Sequence, residues 1–512
     1  MGIKTFAAID VGSYELGMKI FEFGKEGTMR EIDFIRHRID LGTQTYATGK
    51  LSNDKVNELC RVLRDFQTVM RTYQVEDYKA YGTSAIREVE NNLILLDQIQ
   101  NRTGIRIDVL SNSEQRFLDY KSIAMKGEKF NKFIEKGTAI VDIGGGSLQI
   151  SLFDRDSLVA TQNIRLGILR IKDILHTLQP RKAQLEDVIG QLISRQLDAF
   201  RKLYLKDTKI DNIIVVDDYV STIMRTGSGM VTKPGFMEAK QFGAFLSELH
   251  SKTESELAAE LGMEEENVEQ LLISGMTIMS LIRMMGAELL WAPGVTLCDG
   301  IAYEYAEKRN KTVLEHDFNK DILACARNIN YKYHGNEQDS AAIEKITMSI
   351  YDAMKKIHGL SKRERLLLRL SGILQDCGKY ISIANAARCA YDIIMATEII
   401  GLSHKERAMV ANIIKASQED GLDMDRYSSE TIFEAQDYLV MAKLTAILKV
   451  ANGLAITDCQ KFRDLTAGLK DYELVLSVPE GTDVFLERGL FDKSTEYFEE
   501  VYSIKPVIRV KK

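Results

Sequence analysis

Two short loops carry residue types that bind phosphate in proteins. The first follows an apolar, strand-like run and reads IDVGS, so Asp10 precedes Gly12 and Ser13. Backbone N–H groups in a small-residue turn, together with a hydroxyl, can hold an anion, and a carboxylate at the strand end can hold a metal ion or its waters. Turn glycines are more often structural, so this loop alone is a weak signal.

The second loop, VDIGGGS, repeats that design from Asp142 to Ser147. The consecutive glycines Gly144, Gly145 and Gly146 cost roughly 0.5–1 kcal/mol each relative to alanine, which favours a close backbone approach over a plain flexible turn. Both loops run strand, Asp, x, Gly, strand, which is the pattern of an internal duplication. Together they predict a clamp for phosphate and Mg²⁺.

Two further segments carry polar side chains. In YGTSAIREVEN, Arg87 follows a strand and a small-residue turn. Its guanidinium could bind phosphate oxygens in a bidentate fork, or it could pair at the surface with Glu88 or Glu90.

In the segment SNSEQ, Glu114 comes three residues after Ser111. That spacing predicts a capping box at the start of a helix, which is a structural role in its own right.

Strands and helices that could position these loops alternate along the first half of the chain. KTFAAIDVGS and ELGMKIFEF read as a hairpin, because apolar and β-branched residues are bounded by Gly12 and Gly24. Residues 54–73 repeat apolar side chains at helical spacing, and VEDYKAYGTSA and IRIDVLS read as strands. GTAIVDIGGGSLQISLFD opens a second set of the same kind. This alternation predicts layered α/β domains.

The pattern changes near residue 316, where strands nearly disappear. Residues 337–455 are dominated by helical periodicity, and YELVLSV and KPVIRV form a short strand-like tail. We therefore predict three domains, which cover residues 1–130, 131–312 and 313–512.

Composition bounds the function. The chain has 512 residues and a formal net charge of −7 at pH 7, which makes it a poor candidate for binding nucleic acid or an anionic membrane through bulk charge. Its 6 cysteines form no CxxC pair, which argues against a zinc ribbon or a disulfide framework. The longest apolar run, LLISGMTIMSLI, is shorter than the roughly 18–20 residues of a membrane span. We expect a soluble, cytoplasmic protein.

In order and spacing, the four polar segments resemble the exopolyphosphatase and guanosine pentaphosphate phosphohydrolase (Ppx/GppA) family of the actin, sugar kinase and heat-shock chaperone (ASKHA) superfamily. LGILRIKDIL at 166–175 resembles the family's segment after the second loop, and LQDCGKYI and GLSHKERAMVANII resemble its C-terminal domain. The resemblance implies two actin-like, ribonuclease H-like lobes around a cleft, followed by a mostly helical HD-like domain with a strand-like tail. It also implies a homodimer.

The resemblance further implies a reaction. In the family, loops and Mg²⁺ bind the terminal phosphate of inorganic polyphosphate or a guanosine polyphosphate, and a Glu orients water for attack on the phosphoanhydride. By position, Asp10 and Asp142 match the metal groups, and Glu114 and Gln115 match the catalytic segment. The positions that match the phosphate-binding groups are Gly12, Ser13, Arg87, Gly144, Gly145, Gly146 and Ser147.

Several positions depart from the family pattern, and they cluster in the implied cleft. The family's Ser-Gly-x-Glu-Glu ends here at Gln115, an amide that can orient water but cannot accept its proton. Losing a general base costs about 10²- to 10⁴-fold in rate. The family's DIGGGSTE ends here as DIGGGSLQ, so Gln149 replaces a carboxylate. The other departures add side chains beside the anion site, replace glycines by acids or remove a basic residue: Tyr14, Glu15, Asp217, Asp218 and Cys298.

The C-terminal domain departs from its pattern as well. An HD metal site needs a His-Asp pair with further His and Asp ligands, and here Gln375 precedes Asp376. His316 beside Asp317 is interpreted as a chance dipeptide in a linker. No second catalytic centre is predicted.

These departures leave two functional hypotheses open. The first is a Mg²⁺-dependent hydrolase of phosphoanhydrides that is weakened by the Glu-to-Gln changes. The second is an inactive sensor of polyphosphate or nucleotide, because amides preserve hydrogen bonding while removing charge. A purely structural scaffold fits least, since the glycine loops would then have no evident use.

Overall fold

The computed structural model divides the chain into two units, Met1–Asp317 and Phe318–Lys512. The residues that it describes are 4–24, 28–181, 184–205, 208–217, 219–226, 234–309, 316–422, 432–455 and 458–511.

The strands of the first unit build two sheets, and both predicted hairpins are confirmed. In chain order the described strands are β1 (Lys4–Val11), β2 (Glu15–Phe23), β3 (Met29–Arg38), β4 (Asp77–Gly82), β5 (Ile107–Val109), β6 (Thr138–Ile143), β7 (Leu148–Asp154), β8 (Ser157–Ile164), β9 (Asn212–Val216), β10 (Phe236–Glu238) and β11 (Leu289–Trp291).

The two sheets repeat one topology. The first has the strand order β3-β2-β1-β4-β5, and the second, counted from its opposite edge, has β8-β7-β6-β9-β11 with β10 beyond. In each sheet the first three strands of this order are antiparallel and the remaining pairings of the repeat are parallel. The predicted two-lobed α/β class is therefore confirmed, and the duplication reaches beyond the two loops.

Helices cover these sheets, and the helix expected at residues 54–73 is α2. Those of the first unit, in the described part of the chain, are α1 (Gly42–Thr48), α2 (Asn53–Thr72), α3 (Ser84–Arg87), α4 (Asn92–Thr103), α5 (Asn112–Ala124), α6 (Glu128–Ile134), α7 (Ile168–Leu178), α8 (Leu185–Phe200), α9 (Val220–Thr226), α10 (Ala239–Ser251), α11 (Glu254–Leu261), α12 (Glu265–Met285) and α13 (Leu297–Lys308), with a π-helical turn at Arg201–Leu205.

Strand β1 is buried on both faces. Ile9 and Val11 belong to a cluster with apolar residues of α2 and α4, whereas Phe6 and Ala8 belong to a cluster with residues of α5 and α13. Successive side chains of a strand point to opposite faces. Asp10 therefore lies on the face of the sheet that α5 and α13 cover.

Helix α13 follows the second lobe in the chain, yet it packs on the first sheet. Ile301 shares a buried cluster with Phe6. Lys19 of β2 is 4% exposed and pairs with Asp299 at 2.9 Å. Burial lowers the pKa of Lys19, but Asp299 and Glu31 outweigh it and raise that pKa above the ordinary value. We divided the predicted domains by their order in the chain. This helix follows the second lobe in the chain but packs on the first.

Helix α12 is long and contains a strongly apolar window. By length and composition this helix could cross a membrane. The apolar run LLISGMTIMSLI within it, which we considered in the sequence, is too short to do so. However, 78% of its most apolar window is buried within the fold. Its apolar residues lie in the core of the second lobe, together with residues of α8 and α10. This burial is that of a core helix.

The second unit is mostly helical with a small sheet, and the predicted strand-like tail is confirmed. Its described helices are α14 (Phe318–Lys332), α15 (Glu337–Ala353), α16 (Lys355–His358), α17 (Lys362–Leu374), α18 (Ala386–Ala396), α19 (His404–Gln418), α20 (Ala435–Leu454) and α21 (Phe485–Tyr502), with 3₁₀ turns at Cys377–Tyr380 and Cys459–Phe462. Its strands, β12 (Thr466–Lys470), β13 (Glu473–Val478) and β14 (Lys505–Val510), form a sheet in the order β12-β13-β14.

The packing of α13 on α5 can be tested at Gly300. A Cβ at this position would lie 2.1 Å from the Leu118 carbonyl oxygen, a backbone atom that cannot rotate away. We expect Gly300→Ala to destabilise the first unit by about 1–3 kcal/mol, measured as a lower thermal unfolding midpoint of the full chain. Gly190→Ala in α8 is the matched control, because the nearest atom to its Cβ is Ser280 Oγ at 3.9 Å. Equal midpoints for the two variants would contradict this packing.

Candidate functional site

A cavity of about 820 Å³ lies between the two sheets of the first unit. The loops that follow β1, β6 and β9 contribute to its wall, together with α5. Arg87, Glu114 and Gly146, which the sequence also singled out, lie outside its lining. The sequence-predicted residues that line the cavity are Asp10, Gly12, Ser13, Gln115, Asp142, Gly144, Gly145 and Ser147.

The two predicted loops share one local geometry. In the first, the Gly12 N–H donates to the Glu15 carbonyl at 3.1 Å. In the second, the Gly144 N–H donates to the Ser147 carbonyl at 3.0 Å. Each glycine stands two residues after its strand-end aspartate. The loop duplication predicted from the sequence is confirmed.

The glycines of the second loop allow the lobes to approach closely. A Cβ on Gly145 would lie 3.0 Å from the Ser13 Cβ, and one on Gly146 would lie 2.3 Å from the Tyr46 hydroxyl oxygen. The three loop glycines do not adopt a positive φ. Steric room, rather than backbone freedom, therefore requires glycine here, and the close approach expected from the sequence is an approach to the other lobe.

Three hydroxyl groups meet at this contact. Ser13 Oγ lies 2.6 Å from the Tyr46 hydroxyl oxygen and 2.9 Å from Ser84 Oγ, and the last two oxygens are 2.7 Å apart. Burial raises the pKa of Tyr46, and its hydrogen bonds to the serines oppose that rise only in part. The phenol therefore stays protonated at neutral pH. This ring of hydroxyls fixes the orientation of Ser13 at the cavity wall.

Arg170 of α7 reinforces the same contact between the lobes. Its guanidinium pairs with Glu88 of the first lobe at 2.5 Å and lies over the Tyr46 ring, 4.2 Å from the centroid. Its Nε donates to the Gly146 carbonyl at 2.8 Å. Arg170 thus holds the second loop through the Gly146 carbonyl, at a residue outside the cavity lining. Arg170 was missed because its partners are distant in the sequence.

The catalytic segment begins α5, and its two candidate residues separate. Glu114 accepts hydrogen bonds from the Ser111 N–H at 3.0 Å and the Ser111 hydroxyl at 2.6 Å, so the predicted capping box is confirmed. Gln115 instead lines the cavity. Its Oε1 is buried and has no hydrogen-bond partner among the described residues.

Arg87 ends the short helix α3. Its guanidinium donates to the Leu110 carbonyl at 2.6 Å, which joins the loop after β4 to the end of β5. This contact gives Arg87 a positioning role in the first lobe. Its role toward phosphate stays a prediction.

Two departures from the family pattern have structural partners. Gln149 accepts a hydrogen bond from Arg116 Nε at 3.0 Å, and Arg116 also bonds to Thr161. Asp217 accepts the N–H groups of Tyr219 at 2.8 Å and Val220 at 2.5 Å, at the start of α9. Its carboxylate thus accepts the backbone N–H groups that could otherwise donate to a bound anion. Asp218 lies outside the described residues.

A third departure removes positive charge. Cys298 lines the cavity, and burial, together with Asp10 and Asp299, raises the pKa of its thiol well above the ordinary value. A neutral thiol therefore stands where the family pattern has a basic residue. Tyr14 and Glu15 also line the cavity.

Further lining residues were missed by the sequence analysis. Asp119 of α5 is 5% exposed and stands one turn after Gln115. Gln270 of α12 is 1% exposed, and its amide Nε2 has no hydrogen-bond partner in the described part of the chain. No motif marks either one. Only the spacing of four between Gln115 and Asp119, which is that of one helical face, could have indicated the aspartate.

Basic side chains line the cavity from β3. They are Arg36 and Arg38, and Arg38 pairs with Glu264 at 2.6 Å and with Glu266, both near the start of α12. These ion pairs join the two lobes beside the cavity. Carboxylates outnumber arginines in the lining, so a polyanionic ligand would need a cation with it. The acidic lining residues are Asp10, Glu15, Asp119, Asp142, Asp217 and Glu264.

The donor set suits a Mg²⁺ ion that is bound mainly through water and phosphate. Asp10 and Asp142 line the cavity from opposite lobes. Mg²⁺ commonly takes one or two carboxylates and keeps several waters or phosphate oxygens. Among the described residues, no group of three or more His, Cys, Asp or Glu side chains is placed to cage a metal. The residues therefore fit a cation that arrives with its phosphate ligand.

Two family models match this chain. The Ppx/GppA phosphatase family matches residues 22–309, and domain III of Ppx/GppA phosphatases matches residues 323–470. The first match alone covers more than half of the chain. The protein therefore belongs to the Ppx/GppA phosphatase family, as the four polar segments indicated.

Relatives and solved structures agree with this assignment. A guanosine-5'-triphosphate,3'-diphosphate pyrophosphatase of Photobacterium profundum is 18% identical over 86% of both chains. Exopolyphosphatase 2 of Mycobacterium tuberculosis is 23% identical, over 39% of this chain and 63% of its own. The crystal structure of an exopolyphosphatase from Cytophaga hutchinsonii has a TM-score of 0.52 at 16% identity and covers 60% of this chain and 98% of that one. The two-lobed fold is thus shared with this structure.

The ring of hydroxyls can be tested at Tyr46. Tyr46→Phe keeps the ring of the side chain but removes one buried hydrogen-bonding group, so we expect a loss of about 1 kcal/mol in the stability of the first unit. The measurement is the midpoint of thermal unfolding. Tyr73→Phe is the control, because its hydroxyl bonds to Asp33 at 2.8 Å outside this contact. An unchanged unfolding midpoint in Tyr46→Phe would contradict the role assigned to its hydroxyl.

Proposed function

We propose that this protein is a Mg²⁺-dependent phosphohydrolase that releases the terminal phosphate of inorganic polyphosphate or a guanosine polyphosphate. The observation that carries the proposal is the meeting of two aspartate-led loops, one from each lobe, at a single cavity. The names of relatives on both substrate branches of the family support the two substrate classes. The proposal extends to a cytoplasmic location, which the cysteine usage favours, and to a homodimer, which the resemblance implies.

The loops supply hydrogen-bond donors to phosphate in this proposal. The N–H groups of Gly12 and Gly144 close their own turns, so they are not the donors. The donors are the N–H groups that follow them and the hydroxyls of Ser13 and Ser147 at the cavity wall. Donors that are already oriented before the ligand binds need little free energy to reorganise. Such positioning, together with charge stabilisation, is the main source of catalysis in phosphoryl transfer.

Asp10 and Asp142 would hold Mg²⁺ when it is bound. The ion neutralises charge on the phosphate oxygens. Gln115 orients water with its amide, and because an amide takes no proton, we expect turnover below that of a family member with Glu at this position.

A second candidate function is a sensor that binds the same ligands without turnover. Three neutral side chains favour it: the amides of Gln115 and Gln149 and the thiol of Cys298. Each stands where the family pattern has a charged group that catalysis would use. The two candidates differ in whether phosphate is released from a bound ligand.

Hydrolysis is tested by orthophosphate release from long-chain polyphosphate and from guanosine pentaphosphate with Mg²⁺. We expect release that falls at least about 100-fold when excess EDTA removes the ion, because the cation supplies several kcal/mol of charge stabilisation. Binding of tripolyphosphate is measured in parallel by calorimetry. Binding without release would favour the sensor, and neither binding nor release would remove both candidates.

The first loop is tested by Ser13→Ala. Losing one hydroxyl donor to the phosphate should weaken tripolyphosphate binding roughly tenfold, the value of one hydrogen bond to a charged group. Ser247→Ala, an exposed serine on α10, is the matched control. Unchanged affinity in Ser13→Ala would take Ser13 out of the site.

A further inference from the structure

Helix α5 presents two polar side chains to the cavity. Gln115 stands on its first turn, and Asp119 stands four residues later. Residues four apart lie one above the other on the same face of a helix. The carboxylate missing from the first of these positions is therefore present one turn along the same face.

Asp119 belongs to a helix on the side of the first sheet to which Asp10 points. Asp10 points to the face that α5 and α13 cover, and Leu118, the neighbour of Asp119, packs in the same cluster as Phe6 and Ala8 of β1. Both aspartates line one cavity. A ligand phosphate held by the first loop thus lies on the side of the sheet from which Asp119 projects.

Other acidic groups near the site carry structural tasks at helix starts or lobe contacts. Glu114 closes the capping box of α5, and Asp217 binds the backbone N–H groups at the start of α9. Glu264 pairs with Arg38 between the lobes. Asp119 stands within α5 rather than at its end, and it lines the cavity.

A basic residue precedes Asp119 on the same helix. Arg116 is 4% exposed and precedes Asp119 by three residues, which puts the two side chains on adjacent positions of one helix face. A carboxylate can accept a proton from water, which the amide of Gln115 cannot do.

We propose that Asp119 is the catalytic base of this protein, a role moved by one helical turn from the position of Gln115. In this step, which rests on the proposed hydrolase function, an O–H bond of the attacking water breaks and Asp119 takes the proton. The water oxygen forms a bond to the terminal phosphorus. The bridging P–O bond breaks, and its electron pair leaves with the shortened phosphate chain. Gln115 holds the same water through its amide.

The decisive variant is Asp119→Asn, which keeps the shape of the side chain and removes its basicity. We expect kcat for phosphate release to fall about 10²- to 10⁴-fold with Mg²⁺ present, while the affinity for tripolyphosphate changes less than about threefold. Asp173→Asn, an exposed position on α7, is the matched control and should keep wild-type kcat. Thermal unfolding of each variant establishes that it is folded.

Rescue separates catalysis from a structural role. Adding Gln115→Glu to Asp119→Asn returns a carboxylate to the same face of α5, and we expect at least a tenfold recovery of kcat. Wild-type kcat in Asp119→Asn, or a loss that Gln115→Glu does not restore, would overturn the assignment. If Asp119→Asn does not fold, Asp119→Glu, which moves the carboxylate by one methylene, should still lower kcat about tenfold or more, and an unchanged kcat would overturn it.

The failure of the proposed function has a different signature. If the wild-type protein releases no phosphate from either substrate class, the hydrolase proposal and this assignment fall together. If the wild-type protein is active and Asp119→Asn is equally active, only the assignment falls.

Discussion

The close contact between the Ser13 loop and the Gly145 loop is the constraint on which the site depends. The Cβ that Gly145 lacks would stand 3.0 Å from Ser13, and Gly146 leaves room for the Tyr46 hydroxyl. Any larger side chain would push the two sheets apart and widen the cavity between them. The ion pair of Arg170 with Glu88 joins the two lobes at that separation, and the ring of hydroxyls fixes Ser13 within the first lobe. The polar groups of two separate lobes therefore act as one binding wall.

The distribution of charge follows from the same arrangement. Carboxylates line much of the cavity, and its arginines come from β3, where Arg38 is already paired with Glu264. A phosphate chain entering such a cavity is repelled unless cations accompany it. The amide of Gln115 adds no further negative charge to the lining, whereas the neutral thiol of Cys298 stands where the family pattern has a positive one. Metal and polyanion are therefore expected to bind together rather than in sequence.

Local features of the site could be predicted from the sequence, whereas contacts across the fold could not. The hairpins, the glycine loops and the capping box at Ser111 depend on residues within a few positions of one another, so composition and spacing reveal them. Tyr46 meets Ser13 from 33 residues away, and Asp119 faces the cavity only because α5 is set against the first sheet. Glu114 and Gln115 are adjacent in sequence, and the helix geometry decides which of them lines the cavity.

The packing of α13 has a consequence for how the chain is made. Phe6 and Ala8 of the first strand are covered by residues of α13, such as Ile301, which are nearly three hundred positions later in the sequence. During translation, the first sheet and α5 emerge early, but the part of this face that α13 covers stays exposed until that helix has left the ribosome. The N-terminal lobe therefore cannot bury this second apolar cluster until synthesis of the first unit is nearly complete.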